Sequence, residues 1–340
     1  MKRAVLMAVL VGFALAGQGL AQPAATIENL REKSAITDQD RQQIRSWVTA
    51  TVGVLVGNTD PDRRGMVAAR DAIINEGRKE GRSPAFFQAF GDEAVAALKD
   101  GEKKAVSQDA RVNLMMAVAE LRRTEGLPIL QTAVEKDPYP AVRYGAAKGL
   151  SQAMDAVLEK NMPRLEGDIA DSIGKVIDTE LPPMTLYYMF ETLGRSDHEK
   201  AHDVLADALT KWVPRTNPAD PVVSQILEQA VQALERGYAR EVRPEAKARI
   251  LMAFATMCTS IMAPTKDPYP LFATLNASLE KITGEKVGFV VTDDSVMQKV
   301  ALLEWVEKFV KGKKIPKRPA LPPAVEQAVK EISAGGAAAP

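Results

Sequence analysis

With a single cysteine in 340 residues, Cys258, the chain can form no internal disulfide, so its stability must come from a buried core. Histidine is almost as scarce: His198 and His202 are the only two, and no Ser-His-Asp arrangement is suggested. Aromatics make up 5%, and KVGFVV (286–291) is the one short β-branched run that reads as extended. Neither sign of charge prevails, at 44 basic against 44 acidic side chains, which excludes a broad basic field for nucleic acid and a highly charged, disordered chain. Phosphate-cradling loops are missing too, because GRKEGRS and GEKVG follow no buried strand and read as turns. No cofactor is expected.

The one long apolar run lies at the start. Met1-Lys2-Arg3 is a short basic region, AVLMAVLVGFALAG (4–17) is unbroken and apolar, and Gly19 and Ala21 are the small residues that a signal peptidase requires. The run is too short to span a membrane comfortably and lacks a stop-transfer pattern. We read residues 1–21 as a signal peptide, and the mature chain from Gln22 as exported, periplasmic or secreted, without an integral membrane segment. Removing Lys2 and Arg3 leaves 42 basic against 44 acidic side chains.

What remains is helical in pattern. In PVVSQILEQAVQAL, Val223, Ile226, Leu227, Ala230, Val231 and Leu234 fall on one broad helical face, with Gln225, Glu228, Gln229 and Gln232 on the other. SVMQKVALLEWVEKFV repeats that spacing through Val296, Val300, Leu303, Val306 and Val310. Prolines punctuate the pattern where a helix tolerates them, at the first position after a capping residue: Asp60-Pro61, Ser83-Pro84 and the two KDPYP segments at 136–140 and 266–270. Pro138, Pro183, Pro221 and Pro268, taken as openers, are separated by 45, 38 and 47 residues, and each step holds two helical segments. That spacing matches the period of about 40–47 residues found in arrays of helical hairpins.

DPYPAVRYGAAKGL (137–150) resembles the first helix of a HEAT repeat, with Asp and Pro, then Val142-Arg143, then the small residues Gly145, Ala146 and Ala147, then Leu150. DARVNLMMAVAEL (109–121) and DRRGMVAARDAI (62–73) are looser copies, and the likeness is strongest over 105–235. The resemblance implies an all-α fold, an α/α superhelix of about six stacked hairpins over 37–312, monomeric, with a long concave surface for a protein partner. Residues 22–36 then form a linker or short helix. Residues 313–340 form a basic, proline-rich connection, a short helix and a disordered tail.

One segment points to chemistry. SDHEKAHDVLADALTKW (196–212) contains His-Glu-x-x-His, in which His198 and His202 would hold zinc and Glu199 would activate its water. Against this, the segment matches the middle of a hairpin: a helix ending at Leu193, a turn, and a second helix capped by Ser196 or Asp197. That places His198 at the helix start, where the dipole is positive. Lys200 adds positive charge, and no third histidine exists, so a carboxylate such as Glu228 would have to complete the site.

The other candidates have plain readings. Cys258 in LMAFATMCTSIM reads as a buried, inert thiol. The methionines read as core. LYYMF (186–190) directs Tyr187 and Tyr188 to different helix faces, so one of them is a contact candidate. The run Lys311, Lys313, Lys314, Lys317, Arg318 reads as a solvated linker rather than a lipid- or nucleic-acid-binding patch. The sequence therefore favours a non-catalytic exported scaffold that binds a protein partner. A zinc-binding protein or metallopeptidase using HEKAH is the alternative, and a structural spacer in an envelope assembly is another.

Overall fold

The structure is a computed structural model and describes residues 26–57, 63–78, 80–180, 182–217, 220–260 and 269–284. The apolar segment 4–17, Asp60 and Pro61, Pro268, KVGFVV, Val296–Val310, the basic run 311–318 and the last short helix lie outside the described residues. So does the side chain of Cys258. Among the described residues there is no strand, and no helix is long and apolar enough to cross a membrane.

Twelve helices occupy the described residues, in two compact units that divide after Val106. The first unit holds α1 (Asp38–Gly57), α2 (Arg64–Glu76) and α3 (Pro84–Glu102). Here α1 packs on both α2 and α3, burying Ile44, Val48, Val52 and Leu55 against Phe86, Phe90 and Leu98. Full burial of a side chain of this size stabilises by about 1.5–3 kcal/mol. Ser83 caps α3 by accepting from the Phe86 N–H at 3.1 Å, with Pro84 in the first turn, as the sequence predicts. Helix α2 begins at Arg64, after Arg63 in the left-handed region at φ 56°. The stretch 26–36 packs onto this unit. It makes a 3₁₀ turn at Glu28–Leu30, buries Ile27 and Leu30, and pairs Arg31 with Glu76.

The second unit contains α4 (Gln108–Leu121), α5 (Leu127–Lys136), α6 (Pro140–Glu159), α7 (Pro163–Gly174), α8 (Pro183–Arg195), α9 (Glu199–Trp212), α10 (Pro221–Arg240), α11 (Pro244–Ser260) and α12 (Tyr269–Thr283). Even-numbered helices pack side by side in the order α4, α6, α8, α10, α12, and odd-numbered ones in the order α5, α7, α9, α11. Helices α4, α6, α8 and α10 each also meet the odd helix that follows them in sequence. This is a two-layered, solenoid-like, all-α arrangement whose core lies between the layers, filled by residues such as Leu114, Leu150, Phe190, Leu205, Leu234 and Phe254.

The repeat length is visible in the side chains. In the even-numbered layer, hydrogen bonds between neighbouring hairpins join residues 37 to 46 apart, such as Arg143–Glu180, Ser151–Glu191, Ser278–Glu235 and Lys281–Glu235. Proline opens α6, α7, α8, α10 and α11, and Asp220 caps α10 by accepting from the Val222 and Val223 N–H groups. One correction concerns the faces: Gln229, assigned to the polar face of α10, is buried. Neighbouring helices approach closely at Gly149 and Gly194. A Cβ on Gly149 would lie 2.8 Å from Ala119 Cβ, and one on Gly194 only 2.3 Å from Ala233 Cβ. At Gly145 the nearest atom, Met115 Cβ, would be an ordinary 3.5 Å away.

Candidate functional site

The two histidines of HEKAH separate at once. Helix α8 runs on to Arg195, two residues past the expected end, and α9 starts at Glu199 with His198 itself as the cap. His198 Nδ1 accepts from the Lys200 N–H at 3.1 Å, and its other edge lies against Gly167 of α7, where a Cβ would come within 3.0 Å of Nε2. The predicted caps are engaged elsewhere. The Ser196 hydroxyl and the Asp197 N–H both donate to the buried Glu166 carboxylate, at 2.7 and 2.8 Å, while the Asp197 carboxylate pairs with Arg240 at 2.9 Å. That leaves the third residue of the run to cap the helix.

His202, one turn on, is only 1% exposed. Its Nδ1 lies 2.9 Å from Glu241 Oε2 and its Nε2 3.2 Å from the Ser196 carbonyl oxygen. Both ring nitrogens therefore face oxygen acceptors of the protein, and neither has a lone pair directed at open space. Glu199 is exposed and faces Arg243 at 3.4 Å, and Glu228 belongs to α10, in the other layer from His202. Among the described residues no three His, Cys, Asp or Glu side chains are grouped to hold a metal ion. The geometry thus gives His202 a structural contact within the fold.

Glu241 explains why. It stands three residues before Pro244, the first residue of α11, and is 3% exposed. Its Oε1 accepts from the Val242 and Arg243 N–H groups at 2.9 and 2.8 Å, and Arg243 reaches both oxygens with its guanidinium. Burial alone would raise the carboxyl pKa, but the bonds from Arg243 and His202 outweigh it and hold the group at about 2. Arg243 extends the cluster to Asp203 of α9, which Arg249 of α11 also pairs. Asp203 and Glu241, with Glu199, hold the Arg243 and Arg249 charges between α9 and α11.

The same device occurs twice more. Asp137 stands three residues before Pro140 of α6, is 4% exposed, and meets Arg111 of α4 at 2.6 Å. Glu180 stands three residues before Pro183 of α8, is 5% exposed, and takes a bidentate pair from Arg143 of α6 at 2.6 and 3.1 Å. In each case a nitrogen-bearing side chain on one helix meets a buried acid that introduces the next helix of its layer. His202 occupies the position that arginine fills in the other two. The sequence signal was available, since acid-x-x-Pro occurs at 137–140, 180–183 and 241–244.

A second feature lies on the even-numbered layer. A groove of about 90 Å³ runs between α4 and α6, lined by Val112, Met116, Ala119, Glu120, Tyr144 and Lys148 among others. Met116 is 39% exposed at its edge. Tyr144 meets Tyr188 of α8 edge-on at 5.6 Å between ring centroids, and Tyr188 meets Tyr187 at 5.2 Å. Both LYYMF tyrosines are half-buried, so neither is the exposed one that the sequence led us to expect. Burial, then the Tyr144 hydroxyl beside it, pushes the Tyr188 phenol up to about 12. No family model matches the sequence, and no curated protein matches it.

Proposed function

We propose that the chain is an exported, non-catalytic scaffold of HEAT-like hairpins that binds another protein through the exposed side of its even-numbered layer. The observation that carries this reading is the groove between α4 and α6, continued by the Tyr144–Tyr188–Tyr187 cluster. It offers an adaptable methionine beside tyrosines whose rings are held by one another, with Glu120 and Lys148 as a charged margin. Methionine and tyrosine are the side chains that accept an apolar anchor from a protein partner at low entropic cost. Export rests on the signal-like segment 1–21.

The non-catalytic reading is supported by the use of the two imidazoles. One caps a helix and the other closes an inter-hairpin contact, so the chemistry that HEKAH would require has no free donor pair. A photo-crosslinking amino acid at Met116 or Lys148, in cells that make the protein, tests the reading. One adduct of defined mass is expected from these positions, weakened by Tyr144→Ala, and none from the exposed Asp207 on α9. Equal adducts from all three positions, or none, would refute it. If the protein runs in native extract only within one large assembly, without a crosslink at the groove, it is a spacer instead.

A further inference from the structure

Three arginines crowd the seam between α8 and α10, and they are not equally served. Arg195 bonds Glu191 at 3.0 Å and Asp155 at 3.2 Å, and Arg240 pairs with Asp197 at 2.9 Å. Arg236 has no such partner among the described residues. Its only hydrogen bond runs from Nε to the Gly194 carbonyl oxygen at 3.1 Å, leaving both terminal nitrogens of the guanidinium uncommitted. The nearest acids are already engaged, Glu191 with Ser151 and Arg195, and Glu235 with Ser278 and Lys281.

The position of this group is fixed. Gly194 and Ala233 bring the two helices so close that a Cβ on Gly194 would collide with the Ala233 backbone, 2.6 Å from its Cα. The same hypothetical atom would lie 3.2 Å from Arg236 Nη2. The guanidinium of Arg236 therefore lies over the end of α8, with Nε bonded to the Gly194 carbonyl and Nη2 beside Gly194. Burial, and then the nearby charges of Arg195 and Arg240, push its pKa below the ordinary arginine range, against the weaker pull of Glu191 and Glu235. A half-buried, pre-positioned guanidinium lacking a counter-charge is costly to leave unmet and is matched in shape by a planar carboxylate.

We infer that Arg236, flanked by Arg195 and Arg240, is a binding site for a single carboxylate group. Arg236 alone of the three forms no ion pair among the described residues, and a single planar carboxylate suits its fork better than a phosphate or sulfate dianion. The carboxylate can come from a small acid or from an acidic side chain of another protein. The inference does not depend on whether anything docks in the groove between α4 and α6.

The test uses the full chain and three probes at matched ionic strength: acetate, acetyl-glutamate-amide, and acetyl-glutamine-amide as the neutral control. Arginine Nε–Hε NMR resonances are followed during titration, with sodium chloride as the reference salt. Acetate is expected to shift the Arg236 resonance saturably in about the millimolar range, and the shifting signal to be missing in Arg236→Lys. If acetyl-glutamate-amide binds at least about tenfold tighter than acetate, the source is an acidic side chain; equal affinities indicate a small acid. Thermal melts give an independent readout, in which acetate raises the wild-type midpoint above that in chloride and leaves Arg236→Gln unmoved. A linear response indistinguishable from chloride, or equal acetate shifts in wild type and Arg236→Gln, overturns the assignment. If Arg236→Gln fails to fold, the wild-type titration decides alone.

Discussion

Replacing Glu241 by glutamine removes the charge at the centre of the contact between α9 and α11 while keeping its size. In the folded protein the carboxyl titrates at about 2, against 4.5 for the ordinary glutamate. A difference of that size corresponds to about 3 kcal/mol of stability. Its folded pKa is depressed, so this contribution is fully present above pH 4.5 and is lost as the pH falls through about 2. Other carboxylates held low, such as Glu93 beneath Arg45 and Asp40 beside Lys33, add to the acid limb of the wild type. The informative quantity is therefore the difference between wild type and Glu241→Gln. At pH 7 the variant should be less stable by about 3–5 kcal/mol, because His202 and Arg243 keep their positive or polar groups buried without the acid. Between pH 4.5 and 2.5 that gap should narrow steadily, since Glu241 of the unfolded wild type takes up a proton there while the folded carboxylate stays ionised. Urea unfolding followed by far-ultraviolet circular dichroism at several pH values measures it. A gap that stays constant across this range would refute the assignment of Glu241 as the group held low by His202 and Arg243.

Glycine substitutions should separate close helix packing from ordinary helix propensity. Gly194→Ala places a methyl 2.3 Å from Ala233 Cβ and should destabilise by about 1–3 kcal/mol, whereas Gly145→Ala meets only an ordinary contact and should be neutral or stabilising by up to about 1 kcal/mol, as thermal melts will show. Metal analysis of protein purified without a histidine tag should find no stoichiometric zinc, and stoichiometric zinc lost in His202→Ala would reverse our reading of HEKAH. Absorbance titration at alkaline pH should show one phenol ionising near pH 12, absent in Tyr188→Phe, provided the helices remain folded as judged by circular dichroism.

Helices were legible because two independent signals agree along the chain: apolar spacing with the period of a helix, and prolines placed where the first turn needs no N–H. The hairpin step was legible for the same reason. What the sequence hid was register. His202 meets Glu241 across 39 residues, and nothing local to either residue announces the other. The acid-x-x-Pro spacing would have exposed the pattern only to a reader already asking which residue precedes each helix. The cap of α9 was misassigned because Ser196 and Asp197 are intrinsically good caps, and only the buried Glu166 from α7 and Arg240 from α10 draw them away. Arg236 is equally opaque in sequence, since it becomes special only through the carboxylates that its neighbours take first.

Among the described residues, the hydrogen bonds that join hairpins reach one step along the stack and no farther, as from Arg143 to Glu180 and from His202 to Glu241. A tether of that reach lets go one rung at a time. Drawn apart by its ends in an optical trap, the second unit should yield as a zip does, in successive releases of roughly one hairpin of chain, beginning from whichever end is gripped by fewer rungs.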